Sequence, residues 1–229
     1  MALDVRGCEA HYRTAAELGP RHSLALYQYG SVLGVIGQHD RALACFNRAL
    51  DIEPLLLPAV TWRAMVLHLA RRHDDSVRQY RQALEVAPDL FRALVELPFP
   101  LIALRRWAEA LETLEHGESL YGEHPRISGL RGHILGSRGE RTAALAVLSR
   151  LAGIEDSGFV SGFDRALVWV GLSEFGRAVA ELERSYEQQY SWTLFAGILP
   201  LFDPLHGNSR YQTLMRKLHL GTAEGRSAV

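Results

Sequence analysis

The sequence has only one lysine, Lys217, so arginine supplies almost all of its fixed positive charge. Its 25 lysines and arginines are balanced by 26 aspartates and glutamates, which gives a formal net charge of −1. Such a balance provides no overall electrostatic attraction for nucleic acid or for an anionic membrane. We therefore expect this chain to bind neither nucleic acid nor a membrane directly.

Long apolar runs and cysteines are also scarce. No run approaches the roughly 20 apolar residues that a membrane-spanning helix needs, and the N-terminus lacks the basic and then apolar pattern of a signal peptide. These absences predict a cytoplasmic protein. Cys8 and Cys45 have neither the density of a disulfide scaffold nor the CxxC spacing of a zinc site, and we expect both to be reduced, buried thiols.

Motifs for catalysis are missing as well. The sequence has no glycine-rich phosphate loop, no HExxH and no GxSxG, and the SGFVSG stretch around Ser161 lacks the context of a nucleophile elbow. His116 and His124 lie among several glutamates, but their spacing does not place them on one helix face as metal ligands. We expect no catalytic residue, no metal, no cofactor and therefore no enzyme.

What the sequence does contain is a repeat of 34 residues. It is clearest in RALACFNRALDIEP, where small, aromatic, small and proline positions are occupied by Ala42, Phe46, Ala49 and Pro54. Steps of 34 from Ala42 reach further small residues, namely Ser76, Ala110, Ala144 and Ala178. Steps of 34 from Phe46 reach large apolar residues, namely Tyr80, Leu114, Leu148 and Leu182. Units of this length bury their apolar faces only by stacking on one another.

These columns resemble the tetratricopeptide repeat, which they match best at Gly30, Leu33, Gly37, Ala42, Phe46, Ala49 and Pro54. The resemblance implies an all-α fold, a right-handed superhelical solenoid of antiparallel pairs of helices A and B. The small residues Gly30, Ala64, Gly132 and Ala166 would allow helices A and B to cross closely. Glycine at the ends of two A helices, Gly37 and Gly139, would adopt the left-handed conformation.

The repeat divides the chain into a half repeat with helix B alone (1–22), five repeat units (23–190) and a capping segment with a tail (191–229). We predict helices at 4–18, 23–36, 40–53, 57–70, 74–87, 91–104, 108–120, 125–137, 141–152, 161–171 and 175–189. Pro98 and Pro100 predict a break or kink in helix A of the third repeat, because each removes a backbone hydrogen bond. Asn208 or Ser209 should begin a capping helix.

Helix A lines the concave groove in tetratricopeptide arrays, so the resemblance also implies where a partner would bind. The expected contact residues are Tyr27, Met65, His68, Arg92, Phe99, Ile102, Arg126 and His133. This combination suits an amphipathic helix or extended peptide with apolar anchors and an acidic group. The lysine and asparagine clamp that grips a C-terminal carboxylate in some family members is absent. An alternative interpretation is that neighbouring helices of the chain itself cover part of this surface.

Arginines also cluster at the turns between helices A and B. They are Arg71, Arg72, Arg105, Arg106, Arg138 and Arg141, and they predict a basic rim along one edge. Arginine near a helix C-terminus stabilises the negative end of the helix dipole. The rim is therefore either a structural feature or a docking surface for an acidic partner or nucleic acid. No aromatic residues lie between these arginines, which argues against stacking of single-stranded bases.

The leading hypothesis for function is a non-catalytic protein–protein interaction scaffold that binds a peptide or helix in the groove. An alternative comes from the last repeat and the following PLFDPL run. They resemble the C-terminal end of bacterial signalling proteins, in which the repeats follow a winged-helix domain, a nucleotide cyclase or a Ser/Thr kinase, which implies a regulatory region. Further hypotheses are a small-molecule binding or hydrolytic site near Pro98 and Pro100, and self-association through Leu3 and Tyr12 of the unpaired first helix.

Overall fold

The computed structural model describes residues 5–19, 21–155 and 158–218. These residues form α-helices and two 3-10 helices and contain no β-strand, which confirms the predicted all-α class. The α-helices are α1 (Val5–Leu18), α2 (Ser23–Val35), α3 (His39–Ile52), α4 (Leu57–Leu69), α5 (His73–Val86), α6 (Phe91–Glu96), α7 (Pro98–Ala103), α8 (Trp107–Tyr121), α9 (Pro125–Ser137), α10 (Arg141–Glu155), α11 (Gly162–Gly171), α12 (Phe175–Glu187) and α13 (Ser209–Lys217). The 3-10 helices are Ser191–Gly197 and Pro200–Leu205.

Some sequence predictions lie outside the described residues. They concern Leu3, the side chain of Cys8 and the tail 219–229. Elsewhere the predicted helix bounds agree with the structure to within three residues, the largest difference being α10, which was expected to end at 152 and ends at Glu155. None of the described helices is both long and apolar enough to cross a bilayer.

The described residues divide into two compact units, one that ends at Leu104 and one that begins at Arg105. In the first, the N-terminal unit, α1 packs on α2, and the pairs α2 with α3 and α4 with α5 stack through contacts of α3 with α4 and of α2 with α4. In the second, the C-terminal unit, α9 packs on α10 and α11 on α12. The division into a half repeat, five repeat units and a cap stays a prediction.

The small residues at the predicted crossing points are needed where helices A and B meet. A Cβ atom added to Gly30 of α2 would lie 2.9 Å from the ring of Phe46 on α3, which is fully buried. In the next pair Ala64 is fully buried, and the hydroxyl of Ser76 donates a hydrogen bond of 2.7 Å to its carbonyl oxygen. Larger residues in these columns would force the helices apart, since protein interiors are close-packed.

The turns between helices A and B share one backbone conformation at intervals of 34 residues. Their φ angles are positive in each case: 85° at Gly37, 64° at Arg71, 56° at Arg105, 84° at Gly139 and 59° at Ser173. In four of these turns the backbone N–H of the next residue, at 38, 72, 140 or 174, donates to the carbonyl group five residues earlier, as in Gln38 to Leu33 (2.9 Å). The left-handed conformation predicted at Gly37 and Gly139 is confirmed.

Helix A of the third repeat is broken, as its prolines predict. α6 ends at Glu96 and α7 begins at Pro98, with Leu97 forming a turn between them. Pro98 occupies the first position of α7, where its missing N–H is tolerated. The chain therefore forms two short helices here instead of one strained helix.

The C-terminal segment packs on the last helix pair through its aromatic residues. Phe202 meets the ring of Phe163 on α11 edge to face, with centroids 5.3 Å apart. The carboxamide of Asn208 accepts hydrogen bonds from the backbone N–H groups of Arg210 (3.0 Å) and Tyr211 (3.2 Å), which confirms the predicted helix start. The Tyr211 hydroxyl is buried and donates to the Ala196 carbonyl at 2.7 Å. These contacts close the apolar end of α11 and α12.

Candidate functional site

Successive A helices of the N-terminal unit bring two aromatic rings and an arginine together. Tyr27 lies on α2, Trp62 on α4 and Arg92 on α6, and all three are half-buried. The Arg92 guanidinium lies 5.1 Å from the centre of the Trp62 ring, which is a cation–π distance. Tyr27 is near enough to influence the pKa of Arg92. We call Tyr27, Trp62 and Arg92 the Arg92 cluster.

A buried carboxylate, that of Glu96, positions Arg92 in the cluster. Glu96 is completely buried, and its Oε1 lies 3.0 Å from Nε of Arg92 one helical turn away. The other oxygen of Glu96 accepts a hydrogen bond of 2.9 Å from the Tyr80 hydroxyl on α5. Burial, reinforced by the Glu96 charge, raises the pKa of Tyr80 well above its usual value. Tyr80 therefore remains a donor that fixes the Glu96 carboxylate.

Arg92 keeps a surface for a ligand despite this ion pair. Burial alone would lower its pKa, but the charge of Glu96 and the nearby tyrosines raise the pKa overall, so the guanidinium stays charged. About a third of the side chain, 34%, is exposed. A guanidinium has five N–H donors, and Nε of Arg92 lies 3.0 Å from Oε1 of Glu96. An acidic group at this surface could therefore reach the exposed part of the Arg92 side chain.

Four other residues predicted to contact a partner lie in the interior of the structure. Met65, His68 and Phe99 are each 1% exposed, and Ile102 is 7% exposed. Their helix A positions are as expected, but neighbouring side chains cover them. A partner on this surface would meet Tyr27 and Arg92 before it could meet any of these four residues.

His68 has an unusual partner in another histidine. Its Nδ1 lies 3.0 Å from Nδ1 of His73, at the start of α5, and the Phe99 ring is 6.4 Å away. Nε2 of His68 is buried without a hydrogen-bond partner in the described part of the chain. Burial first, and then the charges of His73 and Arg71, lower the pKa of His68 well below its usual value. His68 is therefore a neutral core residue at neutral pH.

Arg126, predicted to bind a partner, is instead engaged inside the C-terminal unit. Its Nε donates to Oδ1 of Asp164 at 2.5 Å, and Oδ2 of Asp164 accepts from the Ser161 hydroxyl at 2.6 Å. The guanidinium lies 4.1 Å from the Trp192 ring centre and 4.6 Å from that of Phe163. Arg126 and Asp164 are 2% and 3% exposed. Arg126 thus joins α9, α11 and the first 3-10 helix.

His133 is a second predicted contact residue that the structure places in the interior. Its Nδ1 lies 2.9 Å from the Leu167 carbonyl oxygen on α11, which identifies that nitrogen as the N–H donor. Burial lowers the pKa of His133 to about 4, although the hydrogen bond to Leu167 opposes this effect. His133 is therefore neutral at neutral pH and serves as a link between two A helices.

The two A helices that Arg126 and His133 connect approach each other unusually closely. A Cβ atom on Gly129 of α9 would lie 2.5 Å from the backbone oxygen of Asp164, and one on Gly136 would lie 2.7 Å from the backbone of Gly171. No side chain fits between the helices at these points. A partner therefore cannot insert a side chain between α9 and α11 at Gly129 or Gly136.

The predicted arginine rim is largely paired with carboxylates. Arg106 makes two hydrogen bonds of 2.6 Å to Glu109. Three further pairs are Arg72 with Asp75 (2.7 Å), Arg138 with Glu140 (2.9 Å) and Arg141 with Glu174 (2.7 Å). Most of the acidic partners lie in or just before the first turn of a B helix. Their negative charge there also stabilises the positive end of the helix dipole. The structural interpretation of the rim is thereby favoured over a docking surface.

Three residues near the candidate sites escaped the sequence reasoning: Trp62, Glu96 and Asp164. Glu96 gave a recognisable signal, because it stands four residues after Arg92 in an otherwise apolar stretch. Asp164 gave none, because its partner Arg126 is 38 residues away in sequence. In the described residues there is no group of three histidine, cysteine, aspartate or glutamate side chains suited to a metal ion.

Comparison with known proteins supports the assignment of the fold. Residues 24–54, which span most of α2 and all of α3, match the family model of the tetratricopeptide repeat. They include Gly30, Ala42 and Phe46, the residues that carried the resemblance. No curated protein matches the sequence significantly.

Solved structures of repeat proteins have a similar fold. A tetratricopeptide repeat protein from Parabacteroides merdae is similar with a TM-score of 0.66 at 15% identity, covering 86% of this chain and 77% of that one. TTC0263 from Thermus thermophilus has a TM-score of 0.60 at 20% identity, covering 76% and 96%. YrrB, described as a TPR protein with an unusual peptide-binding site, has a TM-score of 0.50 at 16% identity, covering 80% and 95%. The chain has the tetratricopeptide-repeat fold.

Proposed function

We propose that this chain is a non-catalytic protein-interaction scaffold that binds a peptide at the Arg92 cluster. The observation that carries the proposal is the meeting of Tyr27, Trp62 and Arg92 from three successive A helices, with all three partly open to solvent. Aromatic residues and arginine dominate the binding energy of many interfaces. The fold supports this function, since tetratricopeptide repeats generally serve as scaffolds.

The chemistry of the cluster suggests the kind of peptide. Tyr27 and Trp62 offer apolar faces, while Arg92 offers charged N–H donors beside them. A carboxylate on the peptide would accept charge-assisted hydrogen bonds from Arg92. Because Arg92 is already positioned by Glu96, it loses little side-chain freedom on binding. The peptide should therefore combine an apolar side chain with an acidic one.

Selection of peptides from a random library on the immobilised chain tests this proposal. The affinity of a selected peptide is then measured by calorimetry for Tyr27→Ala and for the double variant Arg92→Gln/Glu96→Gln. The double variant removes both charges, because loss of Arg92 alone would leave a buried carboxylate unpaired. We expect a Kd at least about tenfold weaker in each, as for the loss of an interface anchor.

Arg13→Gln is the matched control, since Arg13 is an exposed arginine of the same unit, on α1. It should leave the affinity unchanged. Unaltered binding by Tyr27→Ala and by the double variant, with both still folded by circular dichroism, would show that the peptide binds elsewhere. A library that yields no binder would also speak against the proposal.

A regulatory role within a larger bacterial signalling protein is a second candidate. The specific observation in its favour is the sequence of the last repeat and the PLFDPL run that follows it, which resemble the C-terminal end of such proteins. In such a protein the array would bind a signal or a partner and control an attached effector. We also propose that the chain is cytoplasmic and that it self-associates through α1. Light scattering on the chain with and without its first 20 residues tests the self-association.

A further inference from the structure

The N-terminal unit has a second surface with the features of a binding site. It is a groove of about 230 Å³ between the end of α3, the loop that follows it, and helices α4 and α5. Its walls include the aliphatic side chains of Leu50, Leu55, Val60 and Val86. Arg63 is the only charged residue among those that line it, and we call it the Arg63 groove.

Two aliphatic residues of the Arg63 groove are unusually exposed. Leu55 is 68% exposed and Val86 is 57% exposed. Single exposed aliphatic residues are common on protein surfaces and need no explanation. Here, however, two of them flank the same groove and adjoin a guanidinium. An occupant that covered Leu55 and Val86 would therefore gain hydrophobic stabilisation close to a positive charge.

Arg63 itself has neutral partners in place of carboxylates. Its two terminal nitrogens donate to the side-chain oxygens of Asn47 (3.0 Å) and Gln79. Its Nε is buried and has no hydrogen-bond partner in the described residues. Burial lowers the pKa of Arg63, and the more distant charge of Asp51 offsets this only in part. The guanidinium is thus half-buried without an ion-pair partner in the described part of the chain.

A carboxylate would suit Arg63 better than the amides that it now contacts. Hydrogen bonds between a guanidinium and a carboxylate are about twice as strong as those to neutral acceptors. Gln79 is partly exposed on α5, so water can replace Arg63 as the partner of its amide oxygen when Gln79 turns away. Charge complementarity therefore favours an occupant that places an acidic group beside Arg63.

The size of the groove limits the form of this occupant. Pockets for drug-sized molecules usually measure about 300–1,000 Å³, so a groove of about 230 Å³ fits one or two side chains. A groove of this volume is too small to take in a whole helix, which is about 10–12 Å across. In an extended segment, residues i and i+2 point to the same side. An aliphatic and an acidic side chain two positions apart would both enter.

We propose that the Arg63 groove binds an extended segment of a partner protein that carries an aliphatic residue and, two positions later, a glutamate or aspartate. The aliphatic side chain packs against Leu55 and Val86, and the carboxylate reaches Arg63. This surface is separate from the Arg92 cluster and requires none of its residues. A partner could therefore contact the N-terminal unit at two places.

Two synthetic peptides test this proposal, acetyl-Ser-Gly-Leu-Ser-Glu-Gly-Ser-amide and the same peptide with glutamine in place of glutamate. Each is titrated into the ¹⁵N-labelled chain, and amide shifts are followed by NMR. We expect the glutamate peptide to shift the resonances of Leu55, Gln79 and Val86, with an affinity about tenfold above that of the glutamine peptide. In Arg63→Gln this difference between the peptides should disappear.

Matched variants separate the binding site from general effects on the fold. Leu55→Ser and Val86→Ser should weaken the glutamate peptide at least about fivefold, as expected when an apolar contact is lost. Leu18→Ser, at a residue that is 83% exposed on α1, should not. Arg13→Gln and Arg92→Gln/Glu96→Gln should bind like the unmodified chain, which separates this proposal from the previous one.

Several results would overturn the proposal. One is equal shifts from both peptides, and another is shifts that lie outside the groove. Equal binding by Leu55→Ser and Leu18→Ser would also contradict it. If sedimentation shows a dimer that Leu55→Ser and Val86→Ser abolish, while neither peptide shifts the groove, then the groove joins two copies of the chain and does not bind a segment of a partner.

Discussion

At the scale of single residues, the turn that ends each A helix is the most regular feature of the chain. Its left-handed position is glycine in two cases and arginine or serine in the other three. Non-glycine residues pay about 1–2 kcal/mol for this conformation, so the neighbouring helices must impose it. The hydrogen bond that closes the turn, such as Glu174 to Trp169 at 2.9 Å, fixes the conformation whatever the side chain.

Exchanging the residues at two of these positions should change stability in opposite directions. Ser173→Gly should raise the free energy of unfolding by about 0.5–1 kcal/mol, because the strain removed exceeds the extra entropy of glycine in the unfolded chain. Gly139→Ser should lower it by a similar amount. A Cβ atom on Gly139 meets no atom within 4 Å, so only the backbone conformation opposes the change.

Urea unfolding followed by circular dichroism measures both variants. Ser173 is exposed, so its side chain contributes little packing that could obscure the result. A decrease in stability for Ser173→Gly, or no change for Gly139→Ser, would mean that the turns tolerate side chains without strain.

At the scale of helices, the close contact of α9 with α11 depends on residues that lack a side chain. Gly129 faces the backbone of Asp164, and a Cβ atom there would be only 2.5 Å from the carbonyl oxygen. Backbone atoms cannot move aside as the end of a flexible side chain can. The two helices must therefore separate if Gly129 gains even a methyl group.

Gly129→Ala should accordingly destabilise the chain, by about 1–3 kcal/mol for an overpacked core site. Gly153→Ala, in α10, is the matched control, because its Cβ atom would meet nothing within 4 Å. Alanine is the better helix former by about 1 kcal/mol, so this control should stabilise. Thermal unfolding of both variants gives the comparison, and equal melting temperatures would show that α9 and α11 are less tightly packed.

The helices also show how far the sequence could be interpreted. The 34-residue period predicted the helix positions, and Gly37 and Gly139 predicted the left-handed turns at those two residues. The prolines, which depart from the repeat, predicted the break in helix A of the third repeat. The same left-handed conformation at Arg71, Arg105 and Ser173 was not predicted, because their side chains give no local signal for it. The period could not predict that Arg126 is enclosed, since Trp192 and Asp164 come from other parts of the chain. The side chains that a helix A exposes depend on the packing distance to its neighbour, and the period does not encode this distance.

At the scale of the whole molecule, each unit contains a buried neutral histidine, His68 in the first and His133 in the second. Burial lowers the pKa of both, that of His133 to about 4. The unfolded chain binds a proton at each histidine once the pH falls below 6.5, while the folded chain does not. Stability should therefore be full at pH 7 and decline as the pH falls from 6.5.

For His133 the loss by pH 5 should be about 2 kcal/mol, from the separation of its folded and unfolded pKa values. Urea unfolding at pH 7, 6 and 5 measures the slope. Carboxylates with lowered pKa values, such as Glu118, have an ordinary value of 4.5 and add their loss only at more acidic pH. In this window the histidines therefore dominate.

His133→Gln should reduce the pH slope, whatever it does to stability at pH 7, because one titrating site is removed. His11→Gln is the control, since His11 lies exposed on α1. If the slope is unchanged in His133→Gln, the imidazole is protonated equally in the folded and unfolded chains, and the interpretation of its burial is wrong.

The enclosure of Arg126 has a consequence for where the chain can be cut. Its charge is balanced by Asp164 on α11, but its flat faces are covered by rings that include Trp192, beyond the last helix pair. A fragment that stopped after α12 would contain both helices of the last pair and still open the Arg126–Asp164 pair to water. The shortest piece that can fold as this unit does therefore extends beyond the final repeat, into the segment that contains Trp192.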